Sequence, residues 1–149
     1  MSYGHVYVAS IALGAKDAQA FRALAEADAY PGPSLVIAYS HCIAHGFDLA
    51  HGAEQQKLAV ESGVWPVFRF DPRRARRGEA PLVLEGGKTK KPVREYLQNE
   101  MRFRMVENAN PKRFQGLIEA AERDAKRRLE LYQELATLHA GVPVEFDPH

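Results

Sequence analysis

Residues 5–13 read HVYVASIAL and residues 34–39 read SLVIAY, and these two apolar runs decide the fold. Neither run alternates with polar residues as a strand with one face in water does, so both predict strands buried on both faces of a parallel sheet. Between them, Asp17 can cap a helix that Pro31 stops, because proline supplies no amide for the next helical hydrogen bond. The predicted core face of that helix consists of Ala20, Phe21, Leu24, Ala25 and Ala27. This β-α-β pattern predicts two neighbouring parallel strands.

Further along, the chain predicts short elements and then long helices. The first short element is a helix over residues 53–62, anchored by Leu58 and Val60 and closed by Gly63. A strand over residues 65–70 and a helical turn that begins at Asp71 and Pro72 follow it. The last two are an extended segment over residues 82–85 and an exposed loop over residues 86–91. A first long helix is predicted from the stripe Val93, Tyr96, Leu97, Met101, Arg104 and Met105. Asn110 and Pro111 predict the start of a second, whose apolar positions are Phe114, Leu117, Ile118, Ala121, Ala125, Leu129, Tyr132, Leu135 and Ala136.

These patterns predict an α/β protein with a partial parallel sheet of the βαβ type, followed by C-terminal amphipathic helices. We expect an α/β body over residues 1–92, a helical arm over residues 93–138 and an extended tail over residues 139–149. The polar face of the last helix mixes both signs of charge, which favours packing on its own domain or on a protein partner over binding to a membrane.

Composition narrows the class of protein further. The chain has 149 residues, of which 46% are hydrophobic and 26% charged, and this is typical of one globular domain rather than a disordered tail. No stretch approaches the ~20 apolar residues of a membrane span, and the N-terminus lacks the pattern of a secretion signal. Cys42 is the single cysteine, which excludes an internal disulfide and favours a reducing, cytoplasmic compartment.

Charge is unevenly distributed along the chain. Residues 69–113 hold 13 Lys and Arg against 6 Asp and Glu, although the net charge of the whole chain is only +1. The acidic residues are interspersed and no aromatic stacking pattern accompanies the basic ones, so nucleic acid is not an expected partner. A solvated face or a surface for an acidic protein fits this pattern better.

The residues with the most reactive chemistry lie in the loop over residues 40–52, directly after the second predicted strand. Loops at the carboxyl ends of parallel strands line the crevice where α/β proteins bind ligands. Three interpretations of Cys42 remain open: a buried free thiol, a zinc site with Cys42, His45 and one of His41, Asp48 or His51, or a nucleophile with His41 or His45 as its base. No dinucleotide-binding glycine motif and no P-loop is present.

Three stretches of the chain carry a resemblance to a known family: residues 1–9 (MSYGHVYVA), residues 30–46 (YPGPSLVIAYSHCIAHG), and residues 56–66 (QKLAVESGVWP) running on to residues 69–72 (RFDP). Over residues 1–138 the pattern resembles the C-terminal part of pyruvate:ferredoxin (flavodoxin) oxidoreductases. Those enzymes use thiamine diphosphate, Mg²⁺ and [4Fe-4S] clusters to convert pyruvate and coenzyme A to acetyl-CoA and CO₂, passing electrons to ferredoxin or flavodoxin.

The resemblance implies that Cys42 supplies one of the four thiolates of a [4Fe-4S] cluster. The family's other three cysteines and its thiamine and Mg²⁺ motif lie upstream of the matching pattern and are missing from this sequence. The resemblance therefore implies that this chain is a fragment, the C-terminal half of a thiamine-binding domain, and that it is inactive alone. Its implied partner is the remainder of the enzyme or another subunit of a split enzyme. The complete enzyme is expected to be a homodimer. His41, His45 and Asp48 are expected to tune the cluster's surroundings or to satisfy the loop.

A second hypothesis is a non-catalytic scaffold that associates through its last helix. It predicts that Cys42→Ala has no effect, whereas polar substitutions at Leu129 and Tyr132 break association.

Overall fold

The computed structural model describes Met1 and residues 4–138, and within them it confirms an α/β fold followed by C-terminal helices. Four strands form one sheet in the order β2-β1-β3-β4: β1 is Tyr7–Ile11, β2 Ser34–Ala38, β3 Val67–Phe70 and β4 Leu82–Glu85. The α-helices are α1 (Asp17–Asp28), α2 (Gly52–Glu61), α3 (Val93–Gln98), α4 (Met101–Ala109) and α5 (Pro111–Leu135). Three short 3-10 turns span Ile43–His45, Leu49–His51 and Pro72–Arg77. The predicted extended tail, residues 139–149, lies outside the described residues.

Parallel pairing is confined to one pair of strands. β1 and β2 are parallel neighbours joined by α1, as the two apolar runs predict. β3 pairs with β1 in the antiparallel direction, and β4 pairs with β3 in the same way, so the sheet is mixed. Only 11 residues separate β3 from β4, which is too short for the helical crossover that a parallel pair needs.

The predicted two-sided burial of β2 is wrong. β2 is an edge strand, and Leu35 and Ile37 are 52% and 41% exposed. Val36 points to the opposite face, where it packs against the cluster formed by β1 and α1. The prediction for α1 needs a similar correction: Ala20 and Ala23 are buried, but Phe21 is 76% exposed and Leu24 also faces outward. The contact between α1 and the sheet is therefore made by small residues.

The single predicted helix from Val93 to Met105 is two helices. Asn99 and Glu100 interrupt it, and Glu100 has an extended backbone that starts α4. Val93, Tyr96 and Leu97 are buried as the stripe predicts, whereas Met101 and Met105 are exposed. After the break at Glu100, the two methionines of α4 therefore lie outside the core.

Helix α5 packs across its own chain. Asn110 caps it by accepting a hydrogen bond from the Arg113 amide at 2.9 Å, as predicted. Phe114, Ile118 and Ala125 of this helix contribute to a core shared with α2 and α3. Its C-terminal end lies on the sheet, where the ring of Tyr132 is 5.0 Å from that of Phe68. Within the described residues, no helix is long and apolar enough to cross a membrane.

On the side of the sheet that α1 covers, ion pairs connect β3 to α1 and to β4. Arg69 of β3 is nearly buried and pairs with Glu26 of α1 and with Glu85 of β4, the latter at 2.9 Å. Asp71 caps the 3-10 turn after β3 by accepting from the Arg73 amide at 2.9 Å, and its carboxylate also binds the Arg73 guanidinium. Burial would raise the pKa of Asp71, but these hydrogen bonds and the nearby positive charge outweigh it and hold that pKa below its usual value.

Candidate functional site

Cys42 lies four residues beyond the end of β2, at the carboxyl edge of the parallel pair. Its thiol is exposed, so the interpretation of Cys42 as a buried free cysteine is wrong. The backbone at Cys42 is extended, and its carbonyl accepts the His45 amide at 3.0 Å to open the 3-10 turn that follows. The thiol therefore sits on an ordered loop at a sheet edge, where α/β proteins place ligand-binding groups.

The start of the loop is fixed by Tyr39. Its amide donates to the Ile11 carbonyl at 2.9 Å, its ring stacks edge-on against Trp65, and its hydroxyl shares a 2.9 Å hydrogen bond with the hydroxyl of Tyr96. Burial raises the pKa of both tyrosines, so both hydroxyls stay protonated near neutral pH. Tyr39 thus anchors the end of β2 to α3 by neutral contacts.

His41 has one ring nitrogen used and one unused. Its Nε2 lies 3.1 Å from Nε2 of Gln56, whose amide oxygen already accepts the Gly14 amide at 2.7 Å. A carboxamide nitrogen can only donate, so Nε2 of His41 is the acceptor and Nδ1 carries the proton. Nδ1 of His41 is buried without a hydrogen-bond partner among the described residues. The loop therefore holds an unused N–H donor next to Cys42 in sequence.

Gly46 lets the loop approach α4 closely. It has a φ of +71°, and a Cβ at this position would lie 2.6 Å from Cβ of Met101. The Met101 amide donates to the Gly46 carbonyl at 3.0 Å. The turn that carries Cys42 is thereby held against the first residue of α4.

Glu100 connects the loop to two helices from inside the protein. Its side chain is completely buried and accepts hydrogen bonds from Gln55 of α2 at 3.0 Å and from Arg102 of α4 at 2.5 Å. Nδ1 of His45 lies 3.9 Å from the same carboxylate, too far for a hydrogen bond, and is buried without a hydrogen-bond partner among the described residues. Asn99 completes the network by donating to Gln55 at 3.1 Å.

The other two chemical interpretations find little support in the geometry. Asp48 accepts the Ala50 amide and caps the second turn of the loop, while His51 is exposed and lies 3.8 Å from Glu54. Across Met1 and residues 4–138, no group of three His, Cys, Asp or Glu residues is arranged to hold a metal ion, so the zinc interpretation lacks a ligand set. No hydrogen bond joins the Cys42 thiol to His41 or His45 in the same part of the chain, as a nucleophile and its base require.

The sequence pattern indicates the loop but not the residues that hold it. Of Gln55, Gln56 and Glu100, only Glu100 carries a signal in the sequence. It lies three residues after Leu97 and four before Arg104, so it falls on the predicted buried stripe although it is charged. A carboxylate at a core position predicts a buried polar network, because an unpaired charge there is costly.

Comparisons with known proteins point to one group of enzymes. No family model matches the chain. A pyruvate-flavodoxin oxidoreductase of Rhodospirillum rubrum is 55% identical over 136 residues, which is 91% of this chain and 11% of that enzyme. The pyruvate:ferredoxin oxidoreductase of Moorella thermoacetica is 43% identical over 136 residues, or 91% of this chain and 12% of the enzyme. A putative pyruvate-flavodoxin oxidoreductase of Synechocystis is 42% identical over all 149 residues. The chain thus spans about a ninth to an eighth of the length of these relatives.

Proposed function

This chain is homologous to one segment of the pyruvate-flavodoxin and pyruvate:ferredoxin oxidoreductases, and we propose that it acts as part of such an enzyme. The whole enzyme would convert pyruvate and coenzyme A to acetyl-CoA and CO₂, releasing two electrons to a flavodoxin or a ferredoxin. We infer the electron acceptor from the names of the relatives, some of which name flavodoxin and others ferredoxin. The α/β body would complete a thiamine diphosphate-binding domain, within a homodimer and in a reducing cytoplasm.

Within that enzyme, Cys42 would supply one of the four thiolates of a [4Fe-4S] cluster. The single observation that carries this role is the exposed thiol on a braced loop at the carboxyl end of β2. Thiolate sulfur is the ligand that iron–sulfur clusters require, and Cys42 is the only cysteine in the sequence. The other three thiolates would therefore come from polypeptide outside this sequence. When bound, the cluster would accept electrons one at a time from the thiamine site.

The loop offers more than a ligand. The protonated Nδ1 of His41 has no hydrogen-bond partner among the described residues. Hydrogen bonds to cluster sulfurs raise the reduction potential, because they stabilise the added negative charge. His41 would tune the potential of a cluster bound by Cys42, whereas Nδ1 of His45 faces the buried Glu100 carboxylate and Asp48 caps the loop.

Thiamine diphosphate and Mg²⁺ would be held mainly by the rest of the enzyme. The family's glycine- and acid-containing motif for these groups is missing from this sequence. The 149-residue chain by itself is therefore expected to show no turnover of pyruvate.

The test uses the Rhodospirillum rubrum enzyme with this chain in place of its matching segment. We expect Cys42→Ser to lower the iron content by about four atoms per polypeptide and to reduce pyruvate-dependent electron transfer by more than about 100-fold. Ser40→Ala is the matched control, because its hydroxyl is exposed two residues away and bonds only within the loop. Unchanged iron content and turnover in Cys42→Ser would contradict the proposed role.

A further inference from the structure

A cavity of about 200 Å³ lies beside the end of β3. Arg69 of β3 contributes to its wall and pairs in register with Ala9, which packs against α1, so the cavity is on the side of the sheet that α1 covers. Four guanidinium groups and two carboxylates form the charged part of the wall, and they belong to Arg69, Arg73, Arg74, Arg77, Glu26 and Asp71.

The position of this cavity in the sheet separates it from the Cys42 loop. Phe70, at the end of β3, pairs with Val8 near the start of β1. The Cys42 loop instead follows Ala38, the last residue of β2, which pairs with Ile11 at the end of β1. The cavity and the candidate cluster ligand therefore lie toward opposite ends of the strands, and the cavity requires an explanation of its own.

Two of the four arginines are fixed in place. Arg69 is nearly buried and binds carboxylates of α1 and β4 at the same time. Arg73 donates to both oxygens of Asp71 at 2.9–3.1 Å, and its guanidinium lies 4.9 Å from the centre of the Tyr30 ring. A ligand entering the cavity meets side chains that are already ordered, so less conformational entropy is lost when it binds.

The other two arginines share a single carboxylate. Nη1 of Arg74 lies 3.0 Å from Glu79, and Nε of Arg77 lies 3.3 Å from the same side chain. Arg74 also donates from Nε to the carbonyl of Ala80 at 2.8 Å. Two positive charges thus face one negative charge, and exposed Arg76 adds a third positive charge to the same turn. This side of the cavity carries an excess of positive charge.

The chemistry of the wall suits a phosphate group. Phosphate presents several strong acceptor oxygens, and the planar fork of a guanidinium matches them in a bidentate geometry. Glu26 and Asp71 are each bound by an arginine, so the wall favours an anion over a cation. The volume is below the ~300–1,000 Å³ of sites that enclose a drug-sized ligand. The cavity therefore admits a small anion or the phosphate end of a larger molecule.

We propose that this cavity binds a phosphate or diphosphate group through the guanidinium groups of Arg74 and Arg77. An entering anion competes with Glu79 for these two side chains, while Arg69 and Arg73 form the ordered remainder of the positive wall. The proposal goes beyond the proposed function, because it requires neither the cluster nor Cys42.

Titration calorimetry with inorganic pyrophosphate tests the site. We expect one pyrophosphate to bind per 149-residue chain, and we expect Arg77→Gln to weaken binding by more than about tenfold, because it removes a charge-assisted donor. Arg127→Gln is the matched control, since it removes the same charge from an exposed position on α5, the helix on the opposite face of the sheet. Absence of binding, or equal weakening by both substitutions, would overturn the proposal.

A second substitution tests the competition with Glu79. We expect Glu79→Gln to tighten pyrophosphate binding by more than about threefold, because it removes the negative charge that Arg74 and Arg77 share. Circular dichroism checks that the variant stays folded. Unchanged or weaker binding in Glu79→Gln would overturn the assignment of these two arginines as the anion ligands.

Two further titrations identify the source of the phosphate. Adenosine 5′-diphosphate binding as tightly as pyrophosphate would support a diphosphate carried by a larger molecule, and preference for pyrophosphate would support a free anion. The same titrations with the Rhodospirillum rubrum enzyme containing this chain measure the part of the binding that Arg77→Gln removes. Arg77-dependent binding in the isolated chain but not in the enzyme would show that another segment of the enzyme fills the cavity, and would overturn the proposal.

Discussion

Glu100 is a buried charged residue close to the Cys42 loop. A carboxylate with no exposed surface is costly unless its oxygens are hydrogen-bonded, and here Gln55 and Arg102 supply those bonds. The same residue interrupts the helix and sets where α4 begins, and the next residue, Met101, binds the Gly46 carbonyl. One buried side chain thereby links α2, α4 and the loop.

We predict that Glu100→Ala lowers the free energy of unfolding by about 2–3 kcal/mol, because Gln55 keeps a buried donor without an acceptor and a small cavity remains. Glu122→Ala, on the exposed face of α5, is the control and changes it by less than about 0.5 kcal/mol. Urea unfolding followed by circular dichroism measures both. Equal stability of the two variants would show that the Glu100 network does not stabilise the fold.

Asp71 makes stability depend on pH. Its folded-state pKa lies below the unfolded value, so its contribution is fully present above the unfolded pKa of ~3.9 and is lost as the pH falls through the folded pKa. We predict that Asp71→Asn costs about 1–2 kcal/mol at pH 7, since the amide cannot replace the charged bonds to Arg73.

The difference between the parent chain and Asp71→Asn should shrink steadily below about pH 4, because the unfolded chain takes up a proton at Asp71 at a higher pH than the native carboxylate does. Urea unfolding at pH 7, 5 and 3.5 measures it, with Asp28→Asn on the exposed end of α1 as the control. A difference that stays constant over this range would mean that the effect of Asp71 is not electrostatic.

At the scale of elements, the C-terminal end of α5 is held by the sheet of its own chain. Tyr132 stacks on Phe68, and Leu135 packs beside it. We predict that Tyr132→Ser lowers the free energy of unfolding by about 2 kcal/mol and leaves the oligomeric state unchanged, because its ring packs within the chain. Leu131→Ser, one residue earlier and exposed, should have little effect.

Unfolding measures the stability change, and light scattering measures the oligomeric state. Dissociation of an oligomer by Tyr132→Ser, with no loss of stability, would favour the scaffold hypothesis over an internal role for this residue.

Local patterns predicted most elements but not how they pair. The apolar runs of β1 and β2, and the Asn110-Pro111 start of α5, are signals carried by neighbouring residues, and the structure confirms them. The antiparallel direction of β3 depends on contacts across the sheet, which local periodicity does not encode. The break at Glu100 escaped prediction for a related reason, since its partner Gln55 lies 45 residues earlier.

For the candidate site, the sequence predicts the position of the loop but not its exposure. The position at the end of a strand and the single thiol are enough to select the Cys42 loop. The exposure of Cys42, however, contradicts the interpretation of this residue as a buried cysteine. Exposure of β2 was missed because an apolar strand is normally covered on both faces. Both departures concern surfaces that, under the proposed function, the rest of a larger enzyme would cover.

At the scale of the whole molecule, β2 and the loop that follows it expose two apolar side chains and a thiol within eight residues of one another. The interior holds three apolar clusters and a satisfied carboxylate network around Glu100. Leu35, Ile37 and Cys42 lie outside them and are exposed. A folded body with an unpaired strand and an available thiolate fits a unit that is completed by further polypeptide.

The most direct test is to locate iron in the assembled enzyme that contains this chain. X-ray diffraction recorded at the iron absorption edge identifies iron atoms independently of any substitution. We predict a four-iron centre with one iron bonded to Sγ of Cys42 and the other three bonded to cysteines outside this sequence. A four-iron centre ligated without Cys42, or a Cys42 thiol packed among apolar side chains and remote from iron, would contradict it.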